Sequence, residues 1–150
     1  MEKSGFSDFE KEAMKERAAE LRKEQANKRS KKNPEADVLE RIAAMDDQDS
    51  FLANKLHTLV RSVAPELGMK TWYGMPAYTN AAGKVVLHFS DAGKFKTRYS
   101  TVNFSDAAQL DQGSMWPIGF ALKEWTPAVE AQLKTLILKA LGQADDAGER

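Results

Sequence analysis

The spacing of apolar residues changes at Gly68, and this change constrains the fold more than any other feature of the chain. Before Gly68, apolar residues recur every three or four positions, which is typical of amphipathic helices. After it, Val85, Leu87 and Phe89 alternate with the residues between them, which is typical of a strand with one buried face. A helical pattern returns near the end. This order predicts an α+β fold with a mainly antiparallel sheet of about four strands and a C-terminal helix packed on it.

Helix signals occur at both ends of the chain. Residues Ser7 to Lys32 are dense in Glu, Lys, Arg and Ala, which predicts a charged helical arm that ends at Asn33-Pro34. A second helix is expected to run to Met45, and Ser50 is the expected cap of a third. Thr126-Pro127 is typical of a cap followed by proline at the first helical position, and it predicts the closing helix.

Strand signals occupy the middle of the chain. The run Trp72–Tyr78 is expected to form one strand, which a tight turn joins to Val85–Ser90 in a hairpin. Another strand is expected within Phe95–Phe104, which is rich in Thr, Tyr and Val. The last is expected within Met115–Leu122, where Pro117 favours an edge position, a bulge or a later start.

Chain length bounds the number of domains. At 150 residues the chain is long enough for one sizeable core and too short for two full-sized domains. We therefore expect a charged, partly flexible arm at residues 1–33, a single domain at 34–142 and a disordered tail at 143–150.

Composition narrows the classes of function. Lys and Arg total 22, as do Asp and Glu, which excludes a globally basic nucleic-acid binder. The chain has no cysteine, which excludes disulfides, thiolate zinc sites and thiol nucleophiles and favours a cytoplasmic location. No segment approaches the ~20 consecutive apolar residues that span a bilayer, so a soluble protein without a membrane partner is expected.

Catalytic motifs are missing from the sequence. No serine lies in a nucleophile-elbow pattern, and Gly74, Gly83 and Gly93 are isolated rather than grouped in a phosphate-binding loop. We therefore assign no catalytic residue and no cofactor, and we favour a non-enzymatic function. Acid/base catalysis by residues that only the fold brings together stays open.

Several short motifs follow one another in a fixed order between Asp46 and Leu141. They are Pro65-Glu66-Leu67, Trp72-Tyr73-Gly74-Met75-Pro76-Ala77-Tyr78, Gly83-Lys84-Val85-Val86, Lys94-Phe95-Lys96, Tyr99-Ser100-Thr101 and Asp111-Gln112-Gly113-Ser114-Met115-Trp116-Pro117. In this order they resemble the YdhG-like family, a family of domains of unknown function. The resemblance implies a compact α+β domain. Some members carry the label of frataxin-like iron chaperones, so it also implies iron as a candidate ligand.

An iron site would need carboxylates or imidazoles grouped on one accessible face. The central region offers only scattered candidates: His57, Glu66, His88, Asp91, Asp106, Asp111 and Glu124. Their spacing matches no metal-binding pattern, so we assign no metal-binding residue.

Aromatic and cationic residues within the motifs suggest a pocket for a small anionic or aromatic metabolite or a peptide. The predicted ligand-binding residues are Trp72, Tyr73, Met75, Pro76, Tyr78, His88, Lys94, Lys96, Arg98, Tyr99 and Trp116. Each group also has a structural interpretation. The aromatics could pack in the core, His88 could be a surface or satisfied core histidine, and the cations could alternate on a solvated strand face.

The basic run Arg22–Lys32 supports an alternative function. Such a run could bind nucleic acid or a protein partner. It contains no interleaved aromatic residue, and a solvated helical arm is the structural interpretation of the same pattern.

Overall fold

The computed structural model describes residues 7–30 and 34–143, and only the backbone of residues 26–30. These residues form five helices and five strands. In chain order they are α1 (Asp8–Ser30), α2 (Glu35–Ala43), α3 (Asp47–Val63), β1 (Gly68–Trp72), β2 (Met75–Thr79), β3 (Val85–Ser90), α4 (Ala92–Phe95), β4 (Ser100–Phe104), β5 (Gly119–Leu122) and α5 (Pro127–Ala140). The predicted α+β class is confirmed.

The sheet is an antiparallel meander in the order β1-β2-β3-β4-β5. It has five strands rather than the predicted four, because the run Trp72–Tyr78 is not one strand. Tyr73 and Gly74 form a two-residue turn within it, and Trp72 pairs with Met75 across that turn. Both turn residues have positive φ, at 53° and 77°, which a two-residue hairpin turn of type I′ requires.

Two other strands are shorter than predicted. Phe95, the expected first residue of the third strand, is instead the last residue of α4, and Lys96 after it has a φ of 57°. Strand β4 therefore begins only at Ser100. Strand β5 begins at Gly119, two residues after Pro117, and it is an edge strand of the sheet, so both the later start and the edge position are confirmed.

The bounds of the long helices agree closely with those predicted from the sequence, but one predicted cap is wrong. Helix α3 begins at Asp47, so Ser50 lies inside the helix and does not cap it. At α5 the predicted cap is confirmed, because the Val129 amide donates to the Thr126 hydroxyl at 3.1 Å. The predicted end of α1 at Lys32 and most of the predicted disordered tail lie outside the described residues.

One cluster of buried residues joins the helices to one face of the sheet. Met69, Tyr78, Leu87 and Phe104 are in register across four strands and therefore point to this face. Helices α2, α3 and α5 contribute the side chains that cover it: Val38, Ile42, Leu52, Leu56, Val60, Leu133 and Ile137. Burying each large apolar side chain contributes roughly 1.5–3 kcal/mol. The described residues of α1 include none that is buried.

A buried hydrogen-bonded chain links α2, α3 and β2. The Nε2 atom of His57 lies 2.7 Å from the Glu35 carboxylate, and its Nδ1 atom lies 2.8 Å from the Tyr78 hydroxyl. A carboxylate only accepts hydrogen bonds, so Nε2 carries the proton, and in the singly protonated ring Nδ1 accepts from Tyr78. Burial and the nearby charge of Glu35 raise the pKa of Tyr78 far above its ordinary value, so the phenol keeps its proton.

A second buried polar group fixes the segment after β3. The Asp49 carboxylate accepts hydrogen bonds from the Gly93 amide at 2.9 Å and from the Ser100 hydroxyl at 3.1 Å. The same hydroxyl accepts from the Ala92 amide at 3.0 Å. Since Asp49 belongs to the first turn of α3, these bonds hold α4 and the start of β4 against that helix.

Replacing Tyr78 by Phe tests the buried chain. The change leaves a buried His57 nitrogen without its partner, so we expect a loss of about 1–3 kcal/mol in the free energy of unfolding. Urea denaturation followed by circular dichroism measures it. Tyr73→Phe is the matched control, because the ring of Tyr73 is exposed and removing its hydroxyl should change stability by less than about 0.5 kcal/mol. Equal stabilities for the two variants would contradict this account.

Candidate functional site

The candidate site lies on the sheet face opposite the buried cluster. In register across β1 to β4, Lys70 pairs with Ala77, Ala77 with His88, and His88 with Asn103. Period-two alternation adds their neighbours on the same face. We call this set the polar face, and it comprises Lys70, Trp72, Met75, Ala77, His88, Ser90, Thr101 and Asn103.

Trp72 and His88 form an aromatic contact on the polar face. Their ring centroids are 5.2 Å apart at an interplanar angle of 64°. The Tyr73 ring also lies edge to face with Trp72, with its centroid 5.2 Å from that of Trp72. Edge-to-face geometry of this kind is favourable and orients the rings, while both Trp72 and His88 stay partly exposed.

His88 carries an unsatisfied polar atom. Its Nδ1 atom is buried and has no hydrogen-bond partner, which within the described residues is true of no other buried side-chain nitrogen or oxygen. Burial lowers the pKa of His88 below 6.5, so the imidazole is neutral at neutral pH. A buried atom without a partner costs about 1–3 kcal/mol, and a group that supplied a hydrogen bond would recover much of it.

Neutral hydrogen-bonding groups continue along the face from His88. The Ser90 hydroxyl donates to the Met75 sulfur at 3.0 Å. The Asn103 amide donates to the Thr101 hydroxyl at 2.9 Å and reaches the Ser90 hydroxyl at 3.5 Å. The face therefore offers a ring surface, an imidazole and a row of hydroxyl and amide groups.

The structure places the predicted cations apart from this face. Lys94 lies at the Tyr73–Gly74 turn and pairs with Glu16 of α1 at 2.7 Å. Lys96 is exposed at the end of α4, and Arg98 lies over the ring of Tyr99 at 5.0 Å. The three cations thus do not converge on one ligand position.

Trp116 lies at the opposite end of the sheet from Trp72. The amide of Phe104, the last residue of β4, donates to the Ile118 carbonyl, so the segment before β5 crosses the end of the sheet away from the Tyr73–Gly74 turn. A cavity of about 510 Å³ opens there, lined by Ser105, Asp106, Ala108, Asp111, Ser114, Met115, Trp116 and Ile118. The predicted single pocket is therefore divided between two ends of the molecule.

Three predicted ligand residues are buried. Met75 is 9% exposed, Pro76 and Tyr78 are almost completely inaccessible, and Tyr78 belongs to the face that the helices cover. Metal-binding groups do not converge either. Within the described residues, no three His, Asp or Glu side chains are grouped so that they could hold a metal ion.

The sequence interpretation missed Ser90, Thr101 and Asn103. It also missed Glu20 and Arg41, which hydrogen-bond to the backbone of the Tyr73–Gly74 turn. Alternation along one strand places Ser90 beside His88 and so contained a usable signal. Thr101 and Asn103 join them only through the register between β3 and β4, which a sequence does not state.

The lowered pKa of His88 predicts how the stability of the fold depends on pH. Its pKa is lowered on folding, so the unfolded chain binds the proton more readily, and stability falls as pH decreases from 6.5 towards the folded pKa. The contribution is fully present above 6.5. We expect the His88 ring proton signal to titrate below pH 6.5 by NMR. Between about pH 8 and about pH 5, we expect the free energy of unfolding to fall less in His88→Gln than in the native chain. A His88 midpoint at or above 6.5 would contradict the prediction.

Within the described residues, no helix combines the length and the apolar character that crossing a membrane requires.

Comparisons with known proteins assign neither a family nor a function to this chain. No protein-family model, curated protein or solved structure matches this chain, so its function has to be inferred from the geometry of its own residues.

Proposed function

We propose that this chain is a YdhG-like, non-enzymatic binding domain that holds a small, flat, polar organic molecule on the polar face. The observation that carries the proposal is the buried, unpartnered Nδ1 atom of His88 beside the partly exposed ring of Trp72. Buried polar atoms are nearly always satisfied in folded proteins, and the exceptions concentrate where a ligand or water completes the site.

The class of ligand is inferred from the side chains of the polar face. Trp72 offers an aromatic surface on which a planar ring could stack, worth about 0.5–1.5 kcal/mol beyond its buried area. Ser90, Thr101 and Asn103 offer neutral donors and acceptors along one side. A heteroaromatic ring with hydrogen-bonding substituents would satisfy both the imidazole and the amide.

Iron suits these residues poorly. Iron sites use several imidazole or carboxylate ligands, whereas the polar face has one imidazole and no carboxylate of its own. The ammonium group of Lys70 on the same face would repel a cation. The iron-chaperone label that the resemblance implies is therefore not part of the proposal.

A fragment screen by NMR tests the binding function. A library of planar heteroaromatic compounds is added to the ¹⁵N-labelled protein, and we expect the hits to shift the signals of Trp72, His88 and Asn103 together. Trp72→Leu should weaken their binding by about three- to tenfold, in line with the loss of a stacking contact.

Trp125→Phe is the matched control for that screen, because the indole of Trp125 donates to Glu130 and lies away from the polar face. It should leave affinity unchanged. Hits that shift only residues of the Trp116 cavity, or that bind Trp72→Leu unchanged, would overturn the proposed site.

A metal titration tests the ligand class separately. Ferrous and ferric iron are titrated anaerobically, with magnesium as the control, while tryptophan fluorescence and calorimetry are followed. We expect no saturable, iron-selective binding and, in a parallel titration with diamagnetic zinc, no selective shift of His88. Saturable micromolar binding of iron that His88→Gln abolishes would contradict the choice of an organic ligand.

A further inference from the structure

Helix α1 is attached to the domain by a row of carboxylates. Glu16, Glu20 and Glu24 follow one another at four-residue spacing and so share one face of the helix. Glu16 pairs with Lys94 at 2.7 Å, and Glu24 lies 3.8 Å from Lys70. Between them, the two carboxylate oxygens of Glu20 accept hydrogen bonds from the backbone amides at the Tyr73–Gly74 turn.

That turn binds a carboxylate with its main chain. The Tyr73 amide donates to one oxygen of Glu20 at 2.6 Å, and the Gly74 amide donates to the other at 2.6 Å. Successive backbone amides that converge in this way form an anion-binding concavity. A β-carbon at position 74 would lie 2.8 Å from the Lys94 side chain, so glycine lets the chain and the cation approach closely.

The domain itself holds the turn in this geometry. The Arg41 guanidinium donates to the Gly74 carbonyl at 2.7 Å, on the other side of the residue whose amide meets Glu20. Asp91, which is 2% exposed, accepts from the same guanidinium at 3.0 and 3.2 Å and so fixes its position. None of these supporting residues belongs to α1, so the domain by itself supplies the contacts that hold the turn.

Apolar contacts contribute little to the attachment of α1. No described residue of this helix is buried, and Met14 and Leu21 are about half exposed. The ring of Phe9 meets that of Phe95 edge to face at 6.0 Å. The ion pairs of α1 with Lys70 and Lys94 are partly exposed and weaken with salt. Since no described residue of α1 is buried, the helix can be displaced without disturbing the core.

We propose that the Tyr73–Gly74 turn, with Lys70 and Lys94 on either side, is a docking site for an acidic helix of a partner protein, and that α1 occupies it in cis. The partner helix would carry glutamates at four-residue spacing, the pattern that the three contacts of α1 display. This site shares Lys70 with the polar face, but its anion-binding amides lie at the turn, and it does not depend on the ligand proposed for that face. Because α1 belongs to the same chain, it competes with a partner helix at high effective concentration. The docking site is therefore fully accessible only when α1 dissociates from it.

A peptide competition tests the docking site in the full chain. The probe is a fluorescein-labelled peptide with the sequence of residues 8–30, and the control peptide has Gln at positions 16, 20 and 24. The protein variant carries Glu16→Gln, Glu20→Gln and Glu24→Gln together. We expect this variant to bind the probe at least about tenfold more tightly than the native chain does, and more tightly than it binds the control peptide. High salt should abolish the preference of the variant for the probe over the control peptide.

Backbone NMR reports on the site directly. Glu20→Gln alone should move the amide signals of Tyr73 and Gly74 upfield, and the probe peptide should move them back. Glu12→Gln is the matched control, because Glu12 is an exposed glutamate of the same helix, and it should move neither signal.

Four results would overturn the proposal. The triple variant could fail to bind the probe, or bind both peptides equally. The two amide signals could stay unchanged in Glu20→Gln, which would show that the turn does not hold a carboxylate. Dimerisation of the native chain through exchanged α1 helices would assign the site to a second copy rather than to a partner protein.

Discussion

The left-handed turn at Tyr73–Gly74 is the constraint on which the arrangement of both surfaces depends. Positive φ is unfavourable for a bulky residue such as Tyr73, and the turn persists because Arg41 and the paired strands on either side hold it. By reversing the chain after Trp72, it places Trp72 opposite Met75 and so determines which side chains of β1 and β2 face the helices. A shift of one residue would exchange Tyr78 for Ala77 in the core.

The two proposed surfaces differ in chemistry although one turn separates them. On the polar face, burial keeps His88 neutral, and the neighbouring groups are hydroxyls, an amide and rings. At the turn itself, main-chain amides and lysines meet carboxylates. The first arrangement suits an uncharged planar molecule, whereas the second suits an anionic side chain. Trp72 and Tyr73 are consecutive residues, so occupation of one surface could alter the other through their ring contact.

Helix α1 is stabilised by different interactions from those that stabilise the rest of the molecule. The domain is held by a continuous apolar cluster and by buried hydrogen bonds of Asp49, His57 and Tyr78. The helix is held by its partly exposed carboxylates and by Lys23, which pairs with Asp37 and Glu40 of α2. Since burial depends little on salt and exposed ion pairs depend on it strongly, the two parts should respond differently to ionic strength.

The sequence by itself determined helices α1, α2, α3 and α5, the α+β class and the cap at Thr126, because hydrophobic period and cap chemistry act over a few neighbouring residues. It also singled out Trp72, His88 and Lys94. The tertiary structure alone decided that Trp116 lies far from Trp72, that Tyr78 is buried, and that Asn103 and Thr101 join His88. These outcomes depend on strand register and on a tyrosine in a left-handed turn, and both are set by long-range packing rather than by local preference.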